Sequence, residues 1–180
     1  MNSVCKFYLI FLSFMIIALN GCSKVPKNSL PELQTVSHVD LDRYLGKWYE
    51  IARYPHSFEE GCYAATAFYE KKKDGAIQVT NQCRMGSLEG EVNEAVGRAT
   101  VSDKKTNAKL KVQFFWPFKG NYWIVYLDPE YRTAVVSEPN RQFLWILSRT
   151  PKMNPETLTA IKEKLIKKGF DLQYLILTPQ

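Results

Sequence analysis

From residue 47 to residue 149 the chain repeats one theme: a short run of alternating or continuous apolar residues, then a cluster of turn formers. The runs fall at 47–54, 63–71, 76–84, 92–102, 108–115, 121–128, 133–138 and 143–149. The turns between them include Lys73-Asp74-Gly75, Gly86 to Gly90, Asp103 to Asn107, Pro117 to Gly120, Asp128-Pro129 and Glu138-Pro139-Asn140. Alternation over runs of this length predicts strands whose two faces meet different surroundings. Eight short strands at even spacing predict an all-β fold, an eight-stranded antiparallel up-and-down β-barrel. Ahead of them Asp40 is placed to cap a helical turn over Leu41 to Leu45.

Behind the strands the period changes. Asn154 is placed to cap a helix with Pro155 at its first position, Glu156 at its positive end and Gly169 as its stop. Leu158, Ile161, Leu165 and Ile166 form one stripe, which predicts a C-terminal α-helix packed outside the barrel. The apolar run Leu172 to Leu177 adds a short edge strand.

The N-terminal pattern is of another kind. Phe7 to Leu19 is almost wholly apolar behind a single Lys6, too short to span a bilayer, and Leu19-Asn20-Gly21-Cys22 follows directly. This is the pattern of a lipoprotein signal: residues 1–21 are removed, and the Cys22 thiol carries a diacylglyceryl group with a further acyl chain on its amine. In bacterial lipoproteins generally, Ser23 in place of Asp implies sorting to the outer membrane, here on its periplasmic face. Residues 22–38, with Pro26 and Pro31 and no periodicity, read as a lipidated N-terminus and tether reaching roughly 50 Å when extended. A single domain is expected over 39–180.

The net charge of +6 is concentrated in Lys71-Lys72-Lys73, Lys104-Lys105 and the C-terminal lysines. Such runs suit solvated loops and a helix face, or attraction to an anionic lipid surface; nucleic acid is not an expected partner in this compartment. With Cys5 in the signal and Cys22 acylated, Cys62 and Cys83 remain in an oxidising space. The turn at Lys73-Asp74-Gly75 sets them nearly opposite each other, so a small bulge would allow a disulfide; a reactive thiol is the alternative.

Gly46-Lys47-Trp48-Tyr49-Glu50-Ile51-Ala52-Arg53-Tyr54-Pro55 resembles the Gly-x-Trp signature on the first strand of lipocalins. Tyr122-Trp123-Ile124-Val125 through Asp128, Tyr131 and Ala134 resembles the family's second motif, and Leu144-Trp145-Ile146-Leu147-Ser148-Arg149 its last strand with a closing arginine. Together with the lipoprotein signal, the resemblance is to the bacterial outer-membrane branch of the family. It implies structural roles for Gly46, Trp48 and Arg149, with the arginine packed across the tryptophan at the barrel's closed end.

The same resemblance orients the strands. It places Ala65, Ala67 and Tyr69 inward on the second strand, Ile77, Val79 and Asn81 on the third, and Ala95, Gly97 and Ala99 on the fourth. Leu110, Val112 and Phe114 follow, then Tyr122, Ile124 and Tyr126, and on the last strand Phe143, Trp145 and Leu147. A lining so rich in Ala and Gly predicts a cavity rather than a packed core. Burial of an acyl chain there, at about 0.8 kcal/mol per methylene, would favour fatty acids or lysophospholipids. Arg53, His56 and Lys119 are candidates to meet a polar head, or else ordinary loop charges. Trp116-Pro117-Phe118 is expected at the mouth, where it caps a ligand, dips into lipid or simply packs.

The implied function is a lipid-binding lipocalin anchored through Cys22, with no cofactor, no metal and no catalytic residues, and with a homodimer left open. Two alternatives remain: an enzyme of this fold using a pocket thiol, and an envelope scaffold that binds no ligand.

Overall fold

The computed structural model describes residues 30–180. Cys22 and the signal pattern lie outside the described residues. A short helix α1 (Leu41–Tyr44) leads into β1 (Gly46–Arg53), β2 (Cys62–Lys71), β3 (Ile77–Met85), β4 (Val92–Val101), β5 (Lys109–Gln113), β6 (Gly120–Leu127), β7 (Thr133–Ser137) and β8 (Leu144–Ser148). Helix α2 (Pro155–Lys167) and a two-residue strand β9 (Ile176–Leu177) follow. Each of the first seven strands pairs antiparallel with the next, and β1 pairs with β8 as well as β2, closing an eight-stranded up-and-down barrel.

Local chemistry accounts for the boundaries. The Asp40 carboxylate accepts from the amides of Asp42 and Arg43, and Asn154 accepts from those of Glu156 and Thr157, satisfying amide donors at each helix start. Gly169 ends α2 at φ +82, a conformation that penalises any side chain. Ile161 and Leu165 of α2 are buried against Ile51, Val125, Val135, Leu144 and Ile146 of the outer barrel wall. Ile166, expected in that stripe, instead faces solvent at 61% exposure, because the helix touches the barrel along a narrower seam than the sequence suggested.

Three irregularities steer side chains. On β1, Glu50 lies opposite Leu147, whereas Ala52 lies opposite Ile146 and Arg53 opposite Trp145. The bulge at Ile51 turns Ile51 and Ala52 outward and returns Arg53 to the inside. On β6 the register shifts between Ile124 and Tyr126. Tyr126, expected inward, therefore packs outside with the α2 layer, its ring 5.9 Å from the Lys164 ammonium. On β2 an additional residue near Ala64 carries Cys62 to the face occupied by Cys83, and the two form a disulfide with Cα atoms 5.4 Å apart.

The chain ahead of α1 is not free along the whole expected tether. Leu33 is buried in the outer core, the Val36 amide donates to the Ile124 carbonyl and the Val39 amide to the Thr106 carbonyl. Residues 30–39 thus form a strap. It starts at Leu30, which shares a surface groove with Tyr54, Pro55 and Asn140 beside the open end, and it finishes under the closed end.

The edge strand expected after the helix has a different place. β1 and β2 pair only from Gly46–Tyr49 to Thr66–Tyr69, and beyond that they splay. Residues 176–180 fill the gap: β9 pairs with Ala52 and Arg53, the Ala64 amide donates to the Pro179 carbonyl, and the Gln180 amide donates to the carbonyls of Glu50 and Ala65.

Candidate functional site: the barrel lumen

The floor of the lumen is sealed. Trp48 has no exposed surface, its indole donates to the Tyr44 carbonyl at 2.8 Å, and the Arg149 guanidinium lies 3.9 Å from its ring centroid. Above it the Tyr122 hydroxyl lies 2.8 Å from both the Tyr44 and Tyr69 hydroxyls, a linked row that satisfies three phenols in an apolar setting. Burial is the first cause that pushes Tyr69 up to about 12 and raises Tyr44 and Tyr122 well above the ordinary phenol value.

Accessibility rises from floor to mouth. Tyr69, Ile77, Val79, Ala99, Leu110, Ile124 and Leu147 are buried, whereas Ala67, Asn81, Val112, Phe114, Tyr122, Phe143 and Trp145 remain half-buried although their strands belong to a closed wall. These inward side chains are the largely apolar surface that the lumen leaves within reach of solvent. The outer grooves beside α2 and beside Leu30 are separate from it.

Three expected lining positions sit differently. Ala65 is buried in a small cluster with the disulfide, at the rim rather than along the wall. Ala95 is exposed, since β5 pairs with β4 only from Arg98 onward and leaves that end of β4 uncovered. Gly97 is buried, but the space it vacates is taken by the Phe114 ring, which a Cβ on Gly97 would meet at 2.8 Å.

The upper lumen also holds a polar group of which sequence reasoning found only part. Arg53 donates to Glu50 Oε1 at 2.9 Å, to Thr178 at 3.1 Å and to the Glu59 carbonyl at 2.9 Å, with its Nε 3.4 Å from Glu59 Oε2. Thr178 in turn donates to Glu50. His56 Nε2 lies 3.6 Å from the same Glu59 oxygen, and the His56 ring stacks on Phe58 at 3.8 Å beside Phe143 and Trp145. Burial, then the nearby Glu50, raises Glu59 to about 8, with Arg53 and the Trp145 indole pulling the other way. Burial, then Arg53, lowers His56 to about 4. Arg53 and His56 are therefore interior groups and not loop charges, whereas Lys119 is exposed.

Glu50 was legible as the inward neighbour of Trp48 by alternation. Glu59 and Thr178 carried no such signal, one lying in a loop and the other in the returning tail.

The open end is ringed by exposed apolar side chains: Phe115 at 76%, Trp116 at 86% and Phe118 at 77% in one loop, with Phe58 and Leu88 on neighbouring loops. No helix among the described residues is long and apolar enough to cross a membrane.

A sealed floor, a half-open apolar lumen and an outer helix define a calyx-type binding barrel. The chain belongs to the lipocalins, a family generally of binding proteins rather than enzymes, and residues 39–180 match the family model described as a lipocalin-like domain. It is 43% identical to the outer membrane lipoprotein Blc of Vibrio cholerae, over 95% of this chain and 98% of that protein. Blc of Escherichia coli strain K12 is 38% identical, over 93% of this chain and 92% of its own. Bovine apolipoprotein D is 34% identical, covering 83% and 82% respectively. Among solved structures, insecticyanin of Manduca sexta superposes with a TM-score of 0.67 at 18% identity, covering 84% of this chain and 86% of that one.

Proposed function

We propose that this lipocalin binds single-chain lipids, fatty acids or lysophospholipids, in the upper lumen and serves the upkeep of a bacterial outer membrane to which Cys22 anchors it. The observation that carries this is the half-buried apolar lining above a sealed floor. Ala67, Val112, Phe114, Phe143 and Trp145 offer an acyl chain a surface whose burial contributes about 25 cal/mol per Å². The relatives named outer membrane lipoproteins support the location. So does the mouth: Phe115, Trp116 and Phe118 have the amphipathic ring chemistry that favours a bilayer interface.

The thiol-enzyme reading is disfavoured by the Cys62–Cys83 disulfide, which consumes both thiols that it needs.

Native mass spectrometry of delipidated protein titrated with fatty acids and lysophospholipids tests the proposal, and uptake of one molecule per chain is expected. Trp145→Ala should weaken that uptake and remove ligand-dependent quenching. No uptake of either class would leave the scaffold reading.

A further inference from the structure

The Arg53, His56 and Glu59 cluster is chemically unfinished. The His56 side chain is only 4% exposed and that of Arg53 7%, yet both His56 nitrogens, Arg53 Nε and Glu59 Oε2 lack a hydrogen bond among the described residues, the 3.4 and 3.6 Å approaches to Glu59 Oε2 lacking hydrogen-bond geometry. Buried polar atoms of this kind are rare, and each is costly to leave unpaired. Together they present a mixed set: a donor on Arg53, one donor and one acceptor on a neutral imidazole, and a carboxyl oxygen.

Charge narrows what could complete the set. Arg53 is already paired with Glu50 at 2.9 Å, and Glu59, raised to about 8 by burial and then by Glu50, is held protonated at neutral pH, so the cluster has no spare positive charge to offset burial of an anionic head. A quaternary ammonium would meet Arg53 and satisfy none of the orphaned atoms, since it neither donates nor accepts. A hydroxyl does both. The aromatic rings of Phe143 and Trp145, stacked with an interplanar angle of 13°, lead from the cluster into the apolar lumen and suit the first part of a chain.

We propose that Arg53, His56 and Glu59 form a head-group subsite under the mouth for the uncharged, hydroxyl-bearing head of a single-chain lipid, of which a monoacylglycerol is the simplest case. Access requires the Phe58 ring to lift from His56; it is 62% exposed and belongs to a loop with a single 3-10 turn, Ser57–Glu59. The subsite rests on the reading of the lumen as a site for single-chain lipids and deepens it, ranking an uncharged hydroxyl head above the fatty acids and lysophospholipids that the same lumen takes.

The test uses delipidated protein and three ligands with the same palmitoyl chain: monopalmitoylglycerol, palmitate and palmitoyl lysophosphatidylcholine, each followed by tryptophan quenching and native mass spectrometry. The expected result is tighter binding of monopalmitoylglycerol by roughly tenfold, the scale of one completed buried hydrogen bond. His56→Phe and Glu59→Leu should each remove that preference, read as the ratio of monopalmitoylglycerol affinity to palmitate affinity, with circular dichroism showing both variants folded. His56→Phe keeps an aromatic partner for Phe58 and preserves the test if Glu59→Leu does not fold. Equal binding of all three ligands, tighter binding of either charged one, or a preference that survives His56→Phe overturns the subsite. Failure of all three to bind overturns the lumen reading itself.

Discussion

Arg149 sits with its guanidinium 3.9 Å from the Trp48 ring centroid and donates to the carbonyls of Arg43, Tyr44, Lys47 and Tyr131. One side chain thus joins α1, β1 and the β6–β7 turn across the floor. Replacing it with alanine should cost about 2–4 kcal/mol, combining the cation–π contact with several charge-assisted hydrogen bonds. Arg149→Lys should recover only part, because an ammonium cannot stack flat on the indole while serving four carbonyls. Chemical denaturation of both variants checks the order; equal losses would mean that charge alone matters.

Glu59 predicts a pH dependence of stability. Its folded value of about 8 lies above the ordinary 4.5, so the folded state holds a proton that the unfolded chain has lost. Its contribution is present below about 4.5 and declines as pH rises to about 8, with a limiting slope of about 1.4 kcal/mol per pH unit. His56 acts oppositely: lowered from 6.5 to about 4, it makes stability rise with pH across that interval. The two largely cancel below pH 6.5, leaving a fall between about 6.5 and 8. Thermal melts across that range should show it, and Glu59→Gln should flatten it.

Gly97 should not tolerate alanine well. The added Cβ would lie 2.8 Å from the Phe114 ring and 2.9 Å from the Gln113 carbonyl, so a backbone atom as well as a side chain must yield. A loss of about 1–3 kcal/mol is expected from such overpacking. Displacement of Phe114 into the lumen should also reduce lipid uptake, and the titration used for the wild-type protein measures both effects.

Deleting residues 176–180 should loosen the splayed part of β1 and β2. The amides of Arg53 and Ala64, the carbonyls of Ile51 and Ala65 and the buried Arg53 head all lose partners. About 5 kcal/mol of stability should be lost at roughly 1 kcal/mol per hydrogen bond. Hydrogen exchange at Ala64 should accelerate, while that at Thr66, inside the β1–β2 pairing, changes less. Uniform acceleration would show that the tail supports the whole barrel.

The strand pattern and the outer helix were legible because burial of opposite faces imposes alternation, and because Asn154, Pro155 and Gly169 punctuate the helix. The cysteine pairing was legible from the cysteine count and from the turn at Asp74-Gly75, whose hairpin brings Cys62 opposite Met85, two residues from Cys83, with the bulge near Ala64 putting both on one face. What escaped was whatever depends on a bulge or on distant chain. The shift after Ile124 reversed Tyr126, and pairing of the tail with β1 delivered Thr178 to Glu50 and Arg53 from 125 or more positions away. Glu59 reached the lumen through a loop whose path no periodicity records.

The strap over residues 30–39 has a consequence for supply. With Leu33 fixed in the outer core and Leu30 beside the open-end loops, the lipid anchor proposed at Cys22 would be joined to the mouth side by a contour of about 25 Å. Under that proposal, capture of a lipid would be an encounter within one tethered assembly, set by an effective concentration in the millimolar range and not by the amount of free lipid in solution. A modest intrinsic affinity for the lumen would suffice.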